Sequence, residues 1–176
     1  MRLITARERD ELLTNCARQA VHLELRDNYA VHGEAERLAS FISTGQYDHT
    51  MDAPDRRAWQ DMVRRVTQAG RQVRRARIVS EPVTDYIRFE WAGTGANIDA
   101  GEDVRWLPRR MASTIPLPGN DFWLFDDTTV VFSVFSGAGD VAERQLTTET
   151  AAVELCRSAF AAVWATAIAH NEYTPR

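Results

Sequence analysis

Lysine is absent from this chain, so all 21 basic residues are arginine. That absence excludes Schiff-base chemistry and a phosphate-binding loop lysine. Cysteine is nearly absent as well. Cys16 and Cys156 both fall in apolar helical patterns and cannot build a disulfide scaffold, which makes the cytoplasm the expected compartment. Glycine (9) and proline (6) are too few for a collagenous or low-complexity chain. No apolar run approaches the roughly 18 residues of a membrane span. The start, Met1-Arg2-Leu3-Ile4-Thr5, leads straight into charged sequence and predicts no secretory signal.

What is present describes an ordinary globular composition. The 176 residues are 44% hydrophobic and 26% charged, the length of one domain with one core. The net charge of −4 argues against indiscriminate binding of polyanions. The charge is uneven, however. Residues 1–55 hold 10 acids and 6 arginines, whereas residues 56–77 hold 8 arginines and the single acid Asp61. Such a stripe reads either as a partner surface, with Arg57, Arg64 and Arg71 on it, or as an internal ion-pair network.

Periodicity divides the chain into a helical first part (1–70) and a mixed second part (71–176) within one domain. Thr5 and Glu8 form a capping box ahead of the stripe Leu12, Leu13, Cys16, Ala17 and Ala20. Val21 to Arg26 alternates as a short strand or extended linker. A second helix runs from about Glu34 to Gly45, and a third from Pro54 to Gly70 with Trp59, Met62, Val63 and Val66 inward. Arg71 to Ser80 reads as a strand. Val83 to Trp91 fits both periods, and the Thr84-Asp85 cap favours helix. Asp103 to Pro108 is a further strand. Phe122–Phe125 and Val130–Phe135 form a hairpin about Asp126-Asp127-Thr128, and Val141 to Thr147 adds an edge strand. A final helix, capped by Thr148, is predicted over Glu149 to Ala169. The sum is an α/β fold, with α+β as the alternative, in which N-terminal helices pack on a mixed sheet.

Several spaced strings carry a resemblance. They are His22-Leu23-Glu24-Leu25-Arg26-Asp27 with Tyr29, Arg75 to Pro82, Asp85-Tyr86, Asn97, Ala100 to Arg105, and Asp121-Phe122-Trp123-Leu124-Phe125-Asp126. From His22 to the Trp164 helix the chain resembles an actinobacterial domain of unknown function whose hallmark is the last of these strings. The resemblance implies no activity. It implies a regulatory association, because members lie near genes for XRE-type helix-turn-helix regulators. The order strand, helix, strand, hairpin, long helix also resembles half of a phospholipase-D-like domain. Active members carry His-x-Lys and then Asp five residues on. With Asp126 at the aspartate position, Asp121 stands in place of lysine and Gly119 in place of histidine, so the resemblance implies an inactive form of that fold.

Three constellations could carry chemistry. His22, Glu24, Asp27, His32 and Glu34 mix metal-ligand types, but their spacing fits no ligand signature, and a strand with a solvated helix start is the plainer reading. No metal or cofactor is expected. The arginines Arg74, Arg75, Arg77, Arg105, Arg109 and Arg110 could offer fork donors to a carboxylate or phosphate, or could pair with Glu81, Glu102, Asp121 and Asp126. Asp121, Asp126 and Asp127 could do acid–base work, although Asp126 and Asp127 read more simply as turn residues. Trp106 and Trp123, near these motifs, could floor a pocket. The expected binding cluster is therefore Arg75, Arg77, Tyr86, Glu102, Arg105, Arg109, Asp121, Trp123 and Asp126. Its centre, Arg77, Glu102, Arg105 and Asp121, is expected at one end of the sheet.

The leading expectation is a non-catalytic regulatory or partner-binding protein that works with a helix-turn-helix regulator. One alternative is an enzyme acting on an anionic small molecule or nucleotide through Asp121, Asp126 and arginines. Another is nucleic-acid binding through the 56–77 stripe, which no recognition motif supports.

Overall fold

A computed structural model describes residues 1–30, 33–52 and 54–176. The elements, in order, are β1 (Arg2–Leu3), α1 (Ala6–Asn15), β2 (Gln19–Glu24), α2 (Ala35–Thr44), α3 (Pro54–Gln68) and β3 (Gln72–Val79). There follow α4 (Asp85–Gly93), α5 (Gly95–Asp99), β4 (Glu102–Pro108), β5 (Asp121–Phe125), β6 (Thr129–Phe135) and β7 (Val141–Thr147). The chain closes with α6 (Thr150–Thr166) and β8 (Ile168–Ala169). Among the described residues the eight strands form one mixed sheet in the order β1-β7-β6-β5-β2-β3-β4-β8. The parallel trio β2, β3 and β4 is joined through α3 and α4, and antiparallel strands flank it on both sides.

Local chemistry explains most boundaries. Thr5 accepts from the Glu8 amide while Glu8 reaches back to Thr5, the reciprocal cap expected there. Thr84 caps α4 through the Ile87 amide and resolves the ambiguous segment as helix. Gly45 ends α2 in the left-handed conformation, where a side chain would strain the backbone. Asp126 and Asp127 both take positive φ, 51° and 59°, in the three-residue turn between the paired Phe125 and Thr129, which the Thr128 amide closes by donating to the Phe125 carbonyl at 3.0 Å. The Asp126 carboxylate also accepts from the amides of Ala17, Arg18 and Gln19 at 2.7, 2.8 and 3.0 Å. It thus ties the hairpin tip to the start of β2.

Three features depart from the sequence reading. Helix α6 stops at Thr166, not Ala169, because Ile168 and Ala169 pair with Trp106 and Arg105 as an edge strand. Its N-cap is Glu149 rather than Thr148, and no side chain caps it. The segment read as a strand or linker is the centre of the sheet, where β2 sits between β3 and β5.

The two faces of the sheet differ. Helix α6 covers one of them, packing Val153, Cys156, Phe160 and Val163 on Val21, Leu23, Ala76, Ile78, Phe122 and Leu124. The other face is covered by α1 and α3 over Ala20, Val73, Trp123 and Val131, and by α4 over Val79 and Trp106. Between those two apolar groups the covered face is polar.

The Asp126 clasp has a measurable consequence. Asp126→Ala should cost about 2–3 kcal/mol in urea unfolding, since charge-assisted hydrogen bonds and a left-handed turn position are both lost. Asp127→Ala, with less to lose, should cost distinctly less.

Candidate functional site

Strand alternation decides which side chains meet over the polar face. Parallel pairing sets His22 beside Arg75 and Glu24 beside Arg77, and antiparallel pairing sets His22 beside Trp123. Asp121, two residues before Trp123, shares this face. All of these residues, with Tyr29 and Tyr86, line a cavity of about 590 Å³, well within the range of small-molecule sites. Trp59 and Arg9 form part of its wall, and Glu90 reaches in from α4.

The floor is a chain of alternating charge. Arg75 lies between two carboxylates, bonding Glu102 through Nε at 2.7 Å and Glu24 through Nη1. Arg77 lies between Glu24, 2.7 Å from its Nε, and Glu90, 2.6 Å from its Nη2. The first of these contacts is off-axis for a hydrogen bond, so Arg77 Nε is ion-paired without a directed partner. Asn97 of α5 donates to the free oxygen of Glu102 at 2.7 Å. Each guanidinium also faces an indole, Arg75 toward Trp123 at 5.8 Å and Arg77 toward Trp106 at 5.1 Å. Arg77 Nη1, like Nε, makes no hydrogen bond, and neither do Nε of Arg37 and of Arg56 or His22 Nδ1, which lies 3.3 Å from Glu24 Oε1.

Electrostatics set the protonation of the rest. Burial, and then Arg75, Arg9 and Arg77, push the His22 imidazole well below its ordinary pKa. It is therefore neutral at pH 7 and stacks on Trp123 at 4.2 Å and 11°. Burial lowers the affinity of Arg77 for its proton, but Glu24 and Glu90 more than offset this and raise it. Asp121 accepts from the Leu25 amide at 2.9 Å and the Tyr29 hydroxyl at 2.6 Å. Burial nevertheless pushes its carboxyl up to about 6, with Glu24 adding to the rise. Glu34 is raised by burial and by Glu90, against the pull of Arg37. It also accepts from Tyr86 at 3.2 Å.

The structure brings Arg75, Arg77, Tyr86, Glu102, Asp121 and Trp123 to one face, and places the other expected members elsewhere. Arg105 is paired in register with Ala76, on the α6 side, where it lies 4.2 Å over Trp164. The expected meeting of Arg105 with Arg77 and Asp121 is thus corrected by the pleat of β4. Arg109 belongs to a separate clasp, bonding Asp27, Ser80 and the Leu25 and Ile78 carbonyls. Asp126 lies at the opposite end of β5 from Asp121, holding the β2 start. Arg74 lies on the α6 side over Phe160 and Trp164, and Arg110 pairs with Glu81. Among the described residues no group of three His, Cys, Asp or Glu side chains could hold a metal, and His32 lies outside those residues.

Glu24, Tyr29, Arg37 and Glu90 were not recognised as cavity groups from sequence. Glu24 and His22 were legible as sharing a strand face, but only the parallel register with β3 shows that this face is the arginine face. The arginine stripe is largely dispersed. Arg56 binds the Gly93 carbonyl, Arg57 the Asp52 carbonyl, and Arg71 the Thr14 and Cys16 carbonyls. Arg64 pairs with Asp61 at the surface.

Residues 7–175 match the family model described as a domain of unknown function, DUF6879. No curated protein sequence matches the chain. Among solved structures it is similar to Nuc from Salmonella typhimurium, a phospholipase D family member, at 12% identity and a TM-score of 0.54 over 94% of this chain and 90% of that one. It is similar to NucT from Helicobacter pylori at 9% identity and a TM-score of 0.54, over 93% and 89% of the two chains. The archaeal chromatin protein TrmBL2 aligns at 13% identity and a TM-score of 0.49, with 91% of this chain covering 48% of that protein, about half its length. The two likenesses above a TM-score of 0.5 show a mixed α/β fold of the phospholipase-D-like kind.

Two predictions follow the geometry. Arg75→Met should cost about 3–5 kcal/mol by leaving buried Glu102 without a cation and Glu24 with Arg77 alone, whereas Arg105→Met should cost about 1 kcal/mol or less. Urea unfolding distinguishes them. Asp121 binds its proton more tightly folded than unfolded, so its contribution to stability grows as pH falls from above 6 toward 4. Between pH 4 and 7.5 the wild type should therefore lose up to about 3 kcal/mol relative to Asp121→Asn. Parallel unfolding curves at the two pH values would show no such divergence if Asp121 titrated normally.

Proposed function

The chain belongs to DUF6879, a family of domains of unknown function, and we propose that it is a non-catalytic ligand-binding domain with a regulatory role. One observation carries the reading: a row of buried, alternating charges lines a cavity of about 590 Å³ where an apolar core would be expected. Burying charges is costly, and a concave site with convergent polar groups is the arrangement that takes a small molecule.

The same geometry speaks against turnover. His22 is neutral and stacked, and the arginines are held in ion pairs. Ser133 lines the cavity without a base bonded to it, and both cysteines are buried elsewhere, Cys16 beneath α1 and Cys156 on α6. The regulatory part rests on the association implied by the sequence resemblance: the partner proposed is a helix-turn-helix regulator, met through the outer surface. Of the stripe, Arg57 and Arg65 are exposed, and Arg64 and Arg71 are half-buried. The dispersal of the stripe leaves direct nucleic-acid binding the weaker reading.

A second reading has its own observation. A carboxyl with a pKa near 6, hydrogen-bonded to Tyr29 in a cavity, is suited to general acid–base catalysis.

Native mass spectrometry of the full chain, gently purified, tests the first reading. A small molecule should be retained, and Ser133→Trp, which fills the cavity without removing a charge, should expel it. An empty wild-type spectrum, or a molecule equally retained by the variant, overturns the reading. In parallel, bis(p-nitrophenyl) phosphate and plasmid DNA should show no hydrolysis above background. Hydrolysis that disappears in Asp121→Ala would replace the first reading with the second.

A further inference from the structure

One wall of the cavity holds a guanidinium that joins no ion pair among the described residues, with Asp121 as the register neighbour of Ser133 and Asp140 also in the lining. Arg144 of β7 lies beside Ser133 of β6 across the antiparallel register, and both line the cavity. Among the described residues neither side chain makes a hydrogen bond, and Arg144 joins no ion pair although Asp140 lines the same cavity. Two more guanidiniums lie near it, Arg75 held by Glu24 and Glu102 and Arg9 of α1 half-buried and paired with Asp10 at 2.6 Å; Arg9 is weakened as a base by burial and then, against the pull of Asp10, by Arg144 and Arg75. Arg9 also lies 5.1 Å over the Trp59 ring, which meets Trp123 edge to face at 5.7 Å.

A half-buried guanidinium without an ion-pair partner is unfavourable unless an anion joins it. An arginine fork with an adjacent hydroxyl suits carboxylate and phosphate oxygens alike. We propose that the cavity takes a small organic anion, its carboxylate or phosphate bound by Arg144 and the Ser133 hydroxyl and its body lying along Trp59 and Trp123. The proposal rests on the cavity being a ligand site and names the chemistry of its occupant. The anion end lies on the β6–β7 wall; of the cavity's acids, Asp121 is the register neighbour of Ser133 and accepts from the Leu25 amide and the Tyr29 hydroxyl.

Calorimetric titration of the full chain with AMP and benzoate, against adenosine and benzamide as neutral counterparts, tests this. At least one anion should bind about tenfold or more tightly than its neutral counterpart. AMP alone would identify phosphate as the anion, and benzoate alone carboxylate. Arg144→Gln should abolish the preference while leaving the melting temperature unchanged or higher, because a repulsive neighbour of Arg9 is gone. If the neutral compounds bind equally well, if Arg144→Gln keeps the preference, or if the molecule retained in native mass spectrometry carries no anionic group, the anion assignment falls and the cavity remains a ligand site. If none of the four compounds binds and nothing is retained, both fall together.

Discussion

Glu102, Arg75, Glu24, Arg77 and Glu90 alternate in sign along a path that crosses β4, β3 and β2 and ends on α4. A single one of these charges buried alone would be intolerable in so small a molecule, because desolvation costs several kcal/mol per ion. The alternation makes burial possible, since each arginine is shared by two carboxylates and Glu24 by two arginines. The arrangement requires β2 and β3 to run parallel in one register, because a slip of one residue would turn every charge to the α6 side. It also fixes the covering layer. Helix α4 is held over Arg77 by Glu90, and α5 over Glu102 by Asn97. Helices bound through long polar side chains stand off from the sheet, and the cavity is the space that remains.

Much of this architecture was legible because local rules decided it. The Thr5–Glu8 box, the Thr84 cap and the Asp126-Asp127 turn each place an element boundary with only a few residues. The end of α6 was not legible, since its period continues through Ile168 and only the open edge of β4 draws that residue into a strand. The site was half legible for a similar reason. Arg75 and Arg77 declare a shared strand face, and Glu102 and Asp121 stand out as charged residues at strand starts. Arg105 looked equivalent to them because sequence shows the spacing along β4 but not its phase against β3. That phase is set by pairing Ala76 with Arg105, a contact between distant segments. Glu90 carries no motif and Tyr29 only a place in the first resemblance string, and only the packing of their segments over the sheet brings them into the cavity.

The two faces of the sheet divide stability from function. The α6 side is a continuous apolar core, where Arg74 and Arg105 lie over aromatic rings. The opposite side carries the buried ion-pair row and the raised carboxyl of Asp121, the kind of arrangement that a binding site retains at some expense of stability. A phospholipase-D-like fold supplies the scaffold, and the residues on this face give it a chemistry of its own.

The central place of β2 bears on how the chain is made. Its two neighbours, β3 and β5, both lie later in sequence, and the later of them pairs with β6 beyond it. A ribosome delivers β2 early, yet the strand cannot be flanked on both sides until the hairpin has emerged, and α6 must follow before its apolar side is covered. During that interval His22 and Glu24 lie on one side of a nascent segment and Val21 and Leu23 on the other, with nothing to bury them. A chain with this topology cannot complete its central strand until β5 has been made, so the uncovered sides of β2 are exposed to other contacts during synthesis.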